Sequence, residues 1–305
     1  MNTETWIRKY AADLTGKVVA VTGTTGGLGR ELCLCLVQLN AHILMLNRNA
    51  EKSLALKREL LSRFPDAEME HIDLDLSDTG SVKEACRRLN ARKIDILILN
   101  AGVYNIPLTV GKSGYNNIFE VNFISHYCLV KQLLPTLRKS KGRVVAVGSI
   151  AHRFAMLDEN DVDFSKRKSA SRIYGNSKRF LMFSLYELFH NETDVSMAVV
   201  HPGVTLTGMT SHYPQGINGL VKIGVKLLFP APARAVRSLL SGLYTDCSYH
   251  EWIGPGIFDI WGNPKRKKLH SRRPAKNSAE NEKIYALAEK IYIEIFKEDK
   301  AVMGT

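Results

Sequence analysis

A tyrosine and a lysine four positions apart, Tyr174 and Lys178, open an apolar stretch with helical spacing. Side chains at positions i and i+4 share one face of a helix, so the phenol and the ammonium would be neighbours. A free phenol ionises at about pH 10, and a nearby positive charge lowers that pKa by stabilising the phenolate. We therefore predict that Tyr174 is an acid/base, which donates a proton in carbonyl reduction and accepts one in alcohol oxidation.

Two further polar residues accompany this pair. Ser149 follows the apolar run RVVAV and precedes Tyr174 by 25 positions, and Asn122 lies in the segment FEVNFISHY. Each residue alone has a structural explanation, because YxxxK is frequent in helices, a serine caps turns and a buried asparagine satisfies its own amide. All four occur in order along one consistent pattern of strands and helices, which makes coincidence a poor explanation.

A glycine-rich segment, TGTTGGLG, joins the first apolar run to a helical stretch. Glycines let the backbone turn tightly and approach a pyrophosphate, whose charge is received by amides at a helix N-terminus. The spacing fits both TGxxxGxG and, through Gly26, TGxxGxxG, so the segment leaves that choice open. The residues predicted to contact a cofactor here are Thr22, Gly23, Thr24, Thr25, Gly26, Gly27, Leu28 and Gly29.

The end of the second apolar run indicates which dinucleotide binds. The sequence there is LNRN, with Asn47 where an NAD enzyme has an acidic residue for the adenosine ribose. Arg48 follows, and its guanidinium can pair with a 2′-phosphate and stack on adenine. We therefore predict that NADP(H) is preferred over NAD(H). The alternative is that Arg48 is a solvated charge at the start of a helix.

The elements that would position these residues alternate along the chain. Apolar runs starting at residues 17, 42, 68, 94, 143 and 195 predict buried strands, and helical spacing covers residues 28–39, 50–63, 81–89, 115–137 and 173–190. This alternation predicts an α/β fold, a single-domain doubly wound sheet that is mainly parallel and has helices on both faces. Ligands of such sheets bind at the carboxyl edge of the strands.

Composition indicates the number of domains, the cellular location and the state of the cysteines. The chain has 305 residues, 45% hydrophobic and 24% charged, without linkers or repeats, which predicts one domain over 1–305. No apolar run resembles a signal peptide or a membrane span, so we expect a cytoplasmic protein. The five cysteines lack metal or CxxC spacing and are expected to be reduced and mostly buried.

Two segments lie outside the regular pattern. Residues 203–230 form an apolar insertion, interpreted as a substrate loop; a contact with a membrane surface, packing on a second subunit and an ordinary core helix all remain open. Residues 264–305 are predicted to be a basic connector and a C-terminal helix. The net charge is +12, but the basic run 264–273 lacks interleaved aromatic residues, so we expect no nucleic-acid partner.

Together with NAG in LNAG, the YGNSK, GSIAH and GYNNIFEVNFISHY segments resemble the classical short-chain dehydrogenase/reductase (SDR) family. The similarity covers roughly 16–296 and is greatest to the retinol-dehydrogenase-like and WW-domain-oxidoreductase-like branch, although we expect neither a WW domain nor an N-terminal anchor. The extended group does not usually carry NAG. The resemblance therefore implies a Rossmann-fold oxidoreductase, and such enzymes often form homo-oligomers.

The resemblance also implies roles for individual residues. Asp75 would read the adenine amino group, with Asp73 as competitor, while Asp78 is expected to cap a helix. Lys178 would hold the nicotinamide ribose, Ser149 the substrate oxygen, and Asn122 a water-mediated proton relay. The remaining contacts are the adenosine-side turn Asn100, Ala101 and Gly102, and the carboxamide segment Pro202, Gly203 and Thr207.

Histidines beside these segments have no ligand spacing, so we predict no metal site. His126 and His201 are expected in the core, and His152 at most in a substrate loop.

Tyr104, Phe154 and Met156 are expected to line a lipophilic cavity. The predicted function is hydride transfer between nicotinamide and a lipophilic alcohol, aldehyde or ketone. The alternatives are a non-catalytic NADP(H)-binding sensor or scaffold, and a sugar-nucleotide epimerase or dehydratase of the extended group.

Overall fold

The computed structural model describes residues 2–203, 231–269 and 274–296. Within them a single sheet contains eight strands, and all neighbouring pairs are parallel except the last. The strands are β1 (Val18–Thr22), β2 (His42–Asn47), β3 (Met69–Asp73), β4 (Ile96–Leu99), β5 (Arg143–Val147), β6 (Ser196–Val200), β7 (Glu251–Ile257) and β8 (Trp261–Lys268). Their spatial order is β3-β2-β1-β4-β5-β6-β7-β8.

Helices connect the strands and cover both faces of the sheet. They are α1 (Thr3–Tyr10), α2 (Gly27–Gln38), α3 (Ala50–Arg63), α4 (Thr79–Asn90), the short α5 (Asn117–Phe119), α6 (Ser125–Ser140), α7 (Ala170–Phe189), α8 (Pro232–Tyr244) and α9 (Pro274–Phe296). A π-helical segment, Glu120–Ile124, joins α5 to α6, and short 3₁₀ turns span Ile150–Phe154 and Ser165–Arg167.

Two hydrophobic layers enclose the sheet. Alternate side chains of β1 face opposite layers, Ala20 towards α4, α6, α7 and α9, and Val19 and Val21 towards α1, α2, α3 and α8. Strands buried on both faces must be apolar at every position, which explains their continuous hydrophobic runs. The predicted fold class, a doubly wound and mainly parallel sheet with helices on both faces, is confirmed.

The predicted strands and helices are found with small shifts of their ends, but residues 115–137 do not form one regular helix. The extra residue per turn in the π-helical segment interrupts the 3.6-residue period there. No hydrophobic pattern signals this change, because Phe119, just before the segment, and Phe123, inside it, are both buried.

The basic connector predicted at 264–273 needs correction. Residues 264–268 belong to β8, which pairs antiparallel with β7 and closes the sheet. Most side chains of β8 are exposed, so the strand has no apolar pattern that would distinguish it from a solvated connector. Residues 270–273 lie outside the described residues, and the predicted C-terminal helix is α9. Of the insertion 203–230, only Gly203 is described.

The five cysteines are free, and four of them are buried, as predicted. Burial raises the pKa of Cys33 and Cys86 to about 12. These thiols therefore act as small apolar residues rather than nucleophiles.

In the part of the chain that the structure describes, no helix is long and apolar enough to cross a membrane.

Candidate active site

One cavity of about 850 Å³ lies at the carboxyl edge of the parallel strands. Residues that follow β1 to β6 all contribute to its lining, as expected for a doubly wound sheet. The predicted site residues in this lining are Gly23, Thr25, Gly26, Gly27, Leu28, Gly29, Arg48, Asp75, Asn100, Ala101, Gly102, Ser149, Tyr174, Lys178, Pro202 and Gly203. Thr207 lies outside the described residues.

The turn between β1 and α2 requires glycine at two positions. Gly23 has a φ of +71°, and a Cβ there would lie 2.9 Å from the Cα of Ala101. A Cβ on Gly29 would lie 2.1 Å from the carbonyl oxygen of Gly23. A Cβ on Gly26 would meet the same oxygen at an ordinary 3.6 Å. Gly26, which TGxxGxxG needs, is therefore not required by the packing of the protein itself.

The N-terminus of α2 faces the cavity at this turn. Gly26 precedes the helix without a side-chain cap. The first amides of a helix lack intrahelical acceptors and carry the positive end of the helix dipole. The end of α2 can therefore receive a pyrophosphate, and the missing side chains let it approach the backbone.

Thr22 and Thr24, which were predicted to contact the cofactor, have fully buried side chains outside the cavity lining. The hydroxyl of Thr22 accepts hydrogen bonds from the backbone amides of Asn100 and Ala101, both at 3.0 Å. In return, the side-chain amide of Asn100 donates to the carbonyl of Thr22 at 2.9 Å. These bonds lock the glycine turn to the NAG turn, so the hydroxyl of Thr22 is used inside the protein.

The adenosine end of the cavity has two exposed cations. Asn47 is buried and donates to the hydroxyls of Thr24 at 2.6 Å and Ser53 at 2.9 Å. Arg48, which precedes α3, and Lys52, in the first turn of α3, are exposed and line the cavity. No motif in the sequence singles out Lys52.

The aspartate that ends β3 and the two that follow it have three different roles. Asp75 lines the cavity, where its carboxylate accepts from the amide and the hydroxyl of Ser77 at 2.9 and 2.6 Å. Asp73 is exposed outside the lining and pairs with His71 at 2.8 Å. Asp78 caps α4, as predicted. The geometry favours Asp75 over Asp73 as the residue that reads adenine.

Ser149, Tyr174 and Lys178 meet at the other end of the cavity. Ser149 and Tyr174 both line this end, and Lys178 lies over the tyrosine ring with its Nζ 6.0 Å from the ring centroid. Burial raises the pKa of Tyr174, and its interaction with the side chain of Ser149 offsets this only in part. This differs from the lowered pKa predicted from Lys178. Burial also lowers the pKa of Lys178 to about 8, which weakens the effect of its charge.

A glycine in α7 brings the tyrosine to the serine. A Cβ on Gly175 would lie 2.6 Å from the carbonyl oxygen of Ala151, two residues after Ser149. The helix can therefore pack directly on the 3₁₀ turn that follows β5. Ser149 itself caps this turn, since its hydroxyl accepts from the amide of Ala151 at 3.2 Å.

Asn122 lies in the π-helical segment, behind the cavity lining. Its Oδ1 accepts from the amide of Val103 at 2.8 Å, and its Nδ2 donates to the carbonyl of Val103 at 2.9 Å. The same Nδ2 is 3.2 Å from the hydroxyl of Ser177. Asn122 therefore fixes the strand-like segment after the NAG turn beside Lys178.

The three histidines near these segments are buried. His126 contacts the hydroxyl of Thr22 at 3.2 Å, and His152 contacts the carbonyl of Ser149 at 2.6 Å. His201 lines the cavity and stacks on Trp252 with centroids 5.1 Å apart. His152 is thus buried next to Ser149, outside the cavity lining, rather than in a substrate loop. No group of side chains suited to a metal ion occurs in residues 2–203, 231–269 and 274–296.

Apolar side chains surround Tyr174. Tyr104 and Phe154, which were predicted to line the cavity, do so, and Tyr104 meets Tyr174 edge to face with centroids 5.1 Å apart. Met156 does not belong to the lining. The sequence analysis did not single out three other lining residues, Val103, Ile106 and Ile150. The chemical end is therefore largely apolar.

Comparison with known proteins agrees with this site. Residues 17–218 match the model of the short chain dehydrogenase family. The chain belongs to that family. Retinol dehydrogenase 12 of Mus musculus is 33% identical over 287 residues, covering 90% of this chain and 89% of that protein. An uncharacterized oxidoreductase of Schizosaccharomyces pombe is 29% identical over 319 residues, covering 96% and 89%.

Among solved structures, an uncharacterized protein from Mycobacterium Paratuberculosis has the same fold as this short-chain dehydrogenase. The TM-score is 0.75 at 23% identity, with 93% of this chain and 96% of the other covered. The predicted family and its retinol-dehydrogenase-like branch are confirmed. The chain is accordingly a dehydrogenase/reductase with the NAD(P)-binding fold of its family.

Proposed function

We propose that this enzyme transfers hydride between NADP(H) and a lipophilic alcohol or carbonyl compound, with Tyr174 as the acid/base. One observation carries the proposal. Ser149, Tyr174 and Lys178 converge at one end of a cavity whose other end is the glycine turn and the N-terminus of α2. A dinucleotide laid along this cavity would bring its nicotinamide to the phenol.

The residues present fit such a cofactor. The free end of α2 suits the pyrophosphate, and Gly23 and Gly29 permit the tight turn that leads into it. Arg48 and Lys52 supply two positive charges at the adenosine end, where Asn47 replaces the acidic residue of NAD enzymes. These charges support a preference for a cofactor with a 2′-phosphate. When bound, the nicotinamide supplies or accepts the hydride.

Tyr174 and Ser149 would handle the proton and the substrate oxygen. The raised pKa keeps the phenol protonated at neutral pH, which is the form that donates to a carbonyl. The hydroxyl of Ser149, which lines the same end of the cavity as the phenol, would donate to the same oxygen as negative charge develops on it. Lys178 remains mostly charged at neutral pH with a pKa of about 8, and we assign it to the nicotinamide ribose.

The lining around Tyr174 supports a lipophilic substrate. Tyr104, Ile106, Ile150 and Phe154 offer aromatic and aliphatic surface, which favours burial of an apolar chain or ring. A relative that covers most of this chain is named for retinol, a lipophilic alcohol. We therefore assign long-chain or terpenoid-like alcohols, aldehydes and ketones as the substrate class.

The main alternative is a sensor or scaffold that binds NADP(H) without turnover. The convergence of a serine, a tyrosine and a lysine beside an apolar cavity disfavours it, because a sensor needs no proton donor there. An epimerase or dehydratase of the extended group is disfavoured because the chain carries the NAG turn, Asn100 to Gly102, which that group does not usually have.

Purified protein incubated with NADPH or NADH and a panel of aldehydes and ketones of increasing chain length tests the proposal. We expect oxidation of NADPH, followed at its nicotinamide absorbance, with kcat/KM rising with chain length. Short polar carbonyls serve as the control. Tight NADPH binding without turnover of any carbonyl would contradict the enzymatic function and support the sensor.

A further inference from the structure

The turn between β7 and β8 exposes a cluster of large apolar side chains. Phe258 is 83% exposed, Ile257 54% and Trp261 38%. Ile257 and Trp261 are paired across the hairpin, so the three side chains form one patch, here called the hairpin tip. Exposed apolar residues that cluster in this way mark a surface that binds a partner or a membrane.

Basic residues follow the hairpin tip directly. β8 continues from Trp261 into Lys265, Arg266, Lys267 and Lys268. Lys267 pairs with Asp259, and Arg266 lies 3.5 Å from Glu251. Lys265 and Lys268 are exposed and make no ion pair among the described residues, which leaves two uncompensated charges on this strand. Apolar side chains beside positive charge complement a bilayer that contains anionic lipids.

The sequence of β8 disfavours a second copy of the chain as the occupant. β8 is the edge of the sheet, and an edge strand can pair with another edge through its free backbone groups. Pro264 has no amide to donate, and the adjacent run of four basic residues would repel its own copy. The same charges attract anionic lipid.

The hairpin tip is attached to the chemical end of the cavity. Gly203, which lines the cavity, packs against the hairpin so closely that a Cβ would lie 3.1 Å from the carbonyl oxygen of Ile260. Asp259 in the turn also pairs at 3.1 Å with Arg153, which precedes the cavity residue Phe154. A surface that holds the hairpin tip would therefore lie beside the cavity.

We propose that the β7–β8 hairpin docks this enzyme on anionic membranes, with the hairpin tip inserted among the headgroups and the lysines of β8 on the surface. The position of the hairpin would let a lipophilic substrate pass from the bilayer to the cavity without crossing water. Only this last step rests on the proposed function. Docking itself depends on the hairpin alone.

Sedimentation of the full chain with vesicles tests docking. We expect binding to vesicles of phosphatidylcholine and phosphatidylserine, and little to phosphatidylcholine alone. Phe258→Asn, which suits the φ of +50° at this position, should weaken binding roughly tenfold or more because the aromatic ring no longer inserts. Leu54→Gln, at an exposed leucine of α3, is the matched control.

A second pair of variants tests the charges. Lys265→Gln combined with Lys268→Gln should weaken binding about 25-fold, since each lysine near an anionic surface contributes about fivefold. Lys139→Gln combined with Lys141→Gln makes the same change in net charge on the exposed end of α6 and should leave binding unchanged. Equal losses in both pairs would show that only total charge matters and would overturn the proposal.

Tryptophan fluorescence locates the inserted segment. Trp6 and Trp252 are 4% and 0% exposed, whereas Trp261 lies at the hairpin tip. Brominated lipids should therefore quench Trp261, and Trp261→Phe should abolish the quenching while binding persists. Absence of vesicle binding, binding unaffected by Phe258→Asn, or a dimer in solution that this variant dissociates would each overturn membrane docking. Turnover need not be measured, so the test is independent of the proposed activity.

Discussion

Lys178 donates to the backbone carbonyl of Val147 at 2.8 Å, while its Nζ lies 6.0 Å from the ring centroid of Tyr174. The lysine is thus anchored to the last residue of β5, on the strand that leads into Ser149. Burial acts on the pair in opposite directions, raising the pKa of Tyr174 and lowering that of Lys178 to about 8. Both changes favour the neutral forms, since a buried charge loses hydration. The phenol is therefore held as a proton donor.

Replacing Tyr174 with phenylalanine removes the donor but keeps the ring against Tyr104. We expect kcat to fall by about 10² to 10⁴, the usual contribution of a positioned acid/base, while the Kd for NADPH changes less than twofold. Steady-state rates and fluorescence titration measure the two effects. Tyr104→Phe, which removes a phenol from the same cavity, is the control and should retain most activity. An active Tyr174→Phe variant would rule out the proposed role of this residue.

Cofactor preference should depend on the charges at the adenosine end. Arg48→Ala removes a charge-assisted contact worth about 1.5–3 kcal/mol, so the Kd for NADPH should rise by about 10- to 100-fold. Lys52→Ala should have a smaller effect in the same direction. The Kd for NADH should change little in either variant. Arg58→Ala, at an exposed position of α3 outside the cavity lining, controls for the loss of charge. Equal losses for the two cofactors would contradict a 2′-phosphate site.

Most strands of the sheet could be predicted because the hydrophobicity of their own sequence reflects how deeply they are buried. The runs that became β1, β2, β4, β5 and β6 are largely apolar, since both faces of the parallel sheet are covered, whereas β3 at the edge contains Glu70 and His71. β8 could not be recognised, because it lies at the edge of the sheet and its exposed side chains are basic. Its sequence has no hydrophobic alternation that would predict pairing with β7.

The site residues also fall into two groups, those that the sequence reveals and those that only the structure places. Tyr174 and Lys178 are linked by helical spacing, which a sequence displays, but the pKa of Tyr174 is set mainly by burial, which depends on the tertiary packing around it. The separation of Asp73 from Asp75 also needed the structure. Asp73 and Asp75 are two positions apart, and only the structure shows that Asp75 lines the cavity while Asp73 is exposed outside it. Thr22 and Thr24 were assigned from their place in a motif, whereas their hydroxyls are used inside the protein.

A matched pair of alanine variants tests which glycines the turn between β1 and α2 requires. Gly29→Ala places a methyl group 2.1 Å from the carbonyl oxygen of Gly23, which forces the turn to shift. We expect a loss of about 1–3 kcal/mol in the free energy of unfolding, measured with urea, and a large loss of NADPH binding. Gly26→Ala meets the same oxygen at 3.6 Å and should keep the wild-type stability. Equal destabilisation would show that the turn needs glycine at both positions.

The buried histidines should make stability depend on pH. Burial lowers the pKa of His126 to about 3 and of His152 and His201 to about 4, from about 6.5 in the unfolded chain. Since the unfolded state binds protons first, the stabilisation is fully present above about pH 6.5 and is lost as the pH falls towards 4. Each histidine should contribute about 1 kcal/mol between pH 6 and pH 5.

Urea unfolding at pH 7, 6 and 5 measures this dependence. His201→Phe keeps an aromatic ring against Trp252 and should reduce the slope of stability against pH by the share of one histidine. If His201→Phe retained the full slope, protonation of His201 would not be coupled to unfolding, and the imidazole would already be accessible to protons in the folded state.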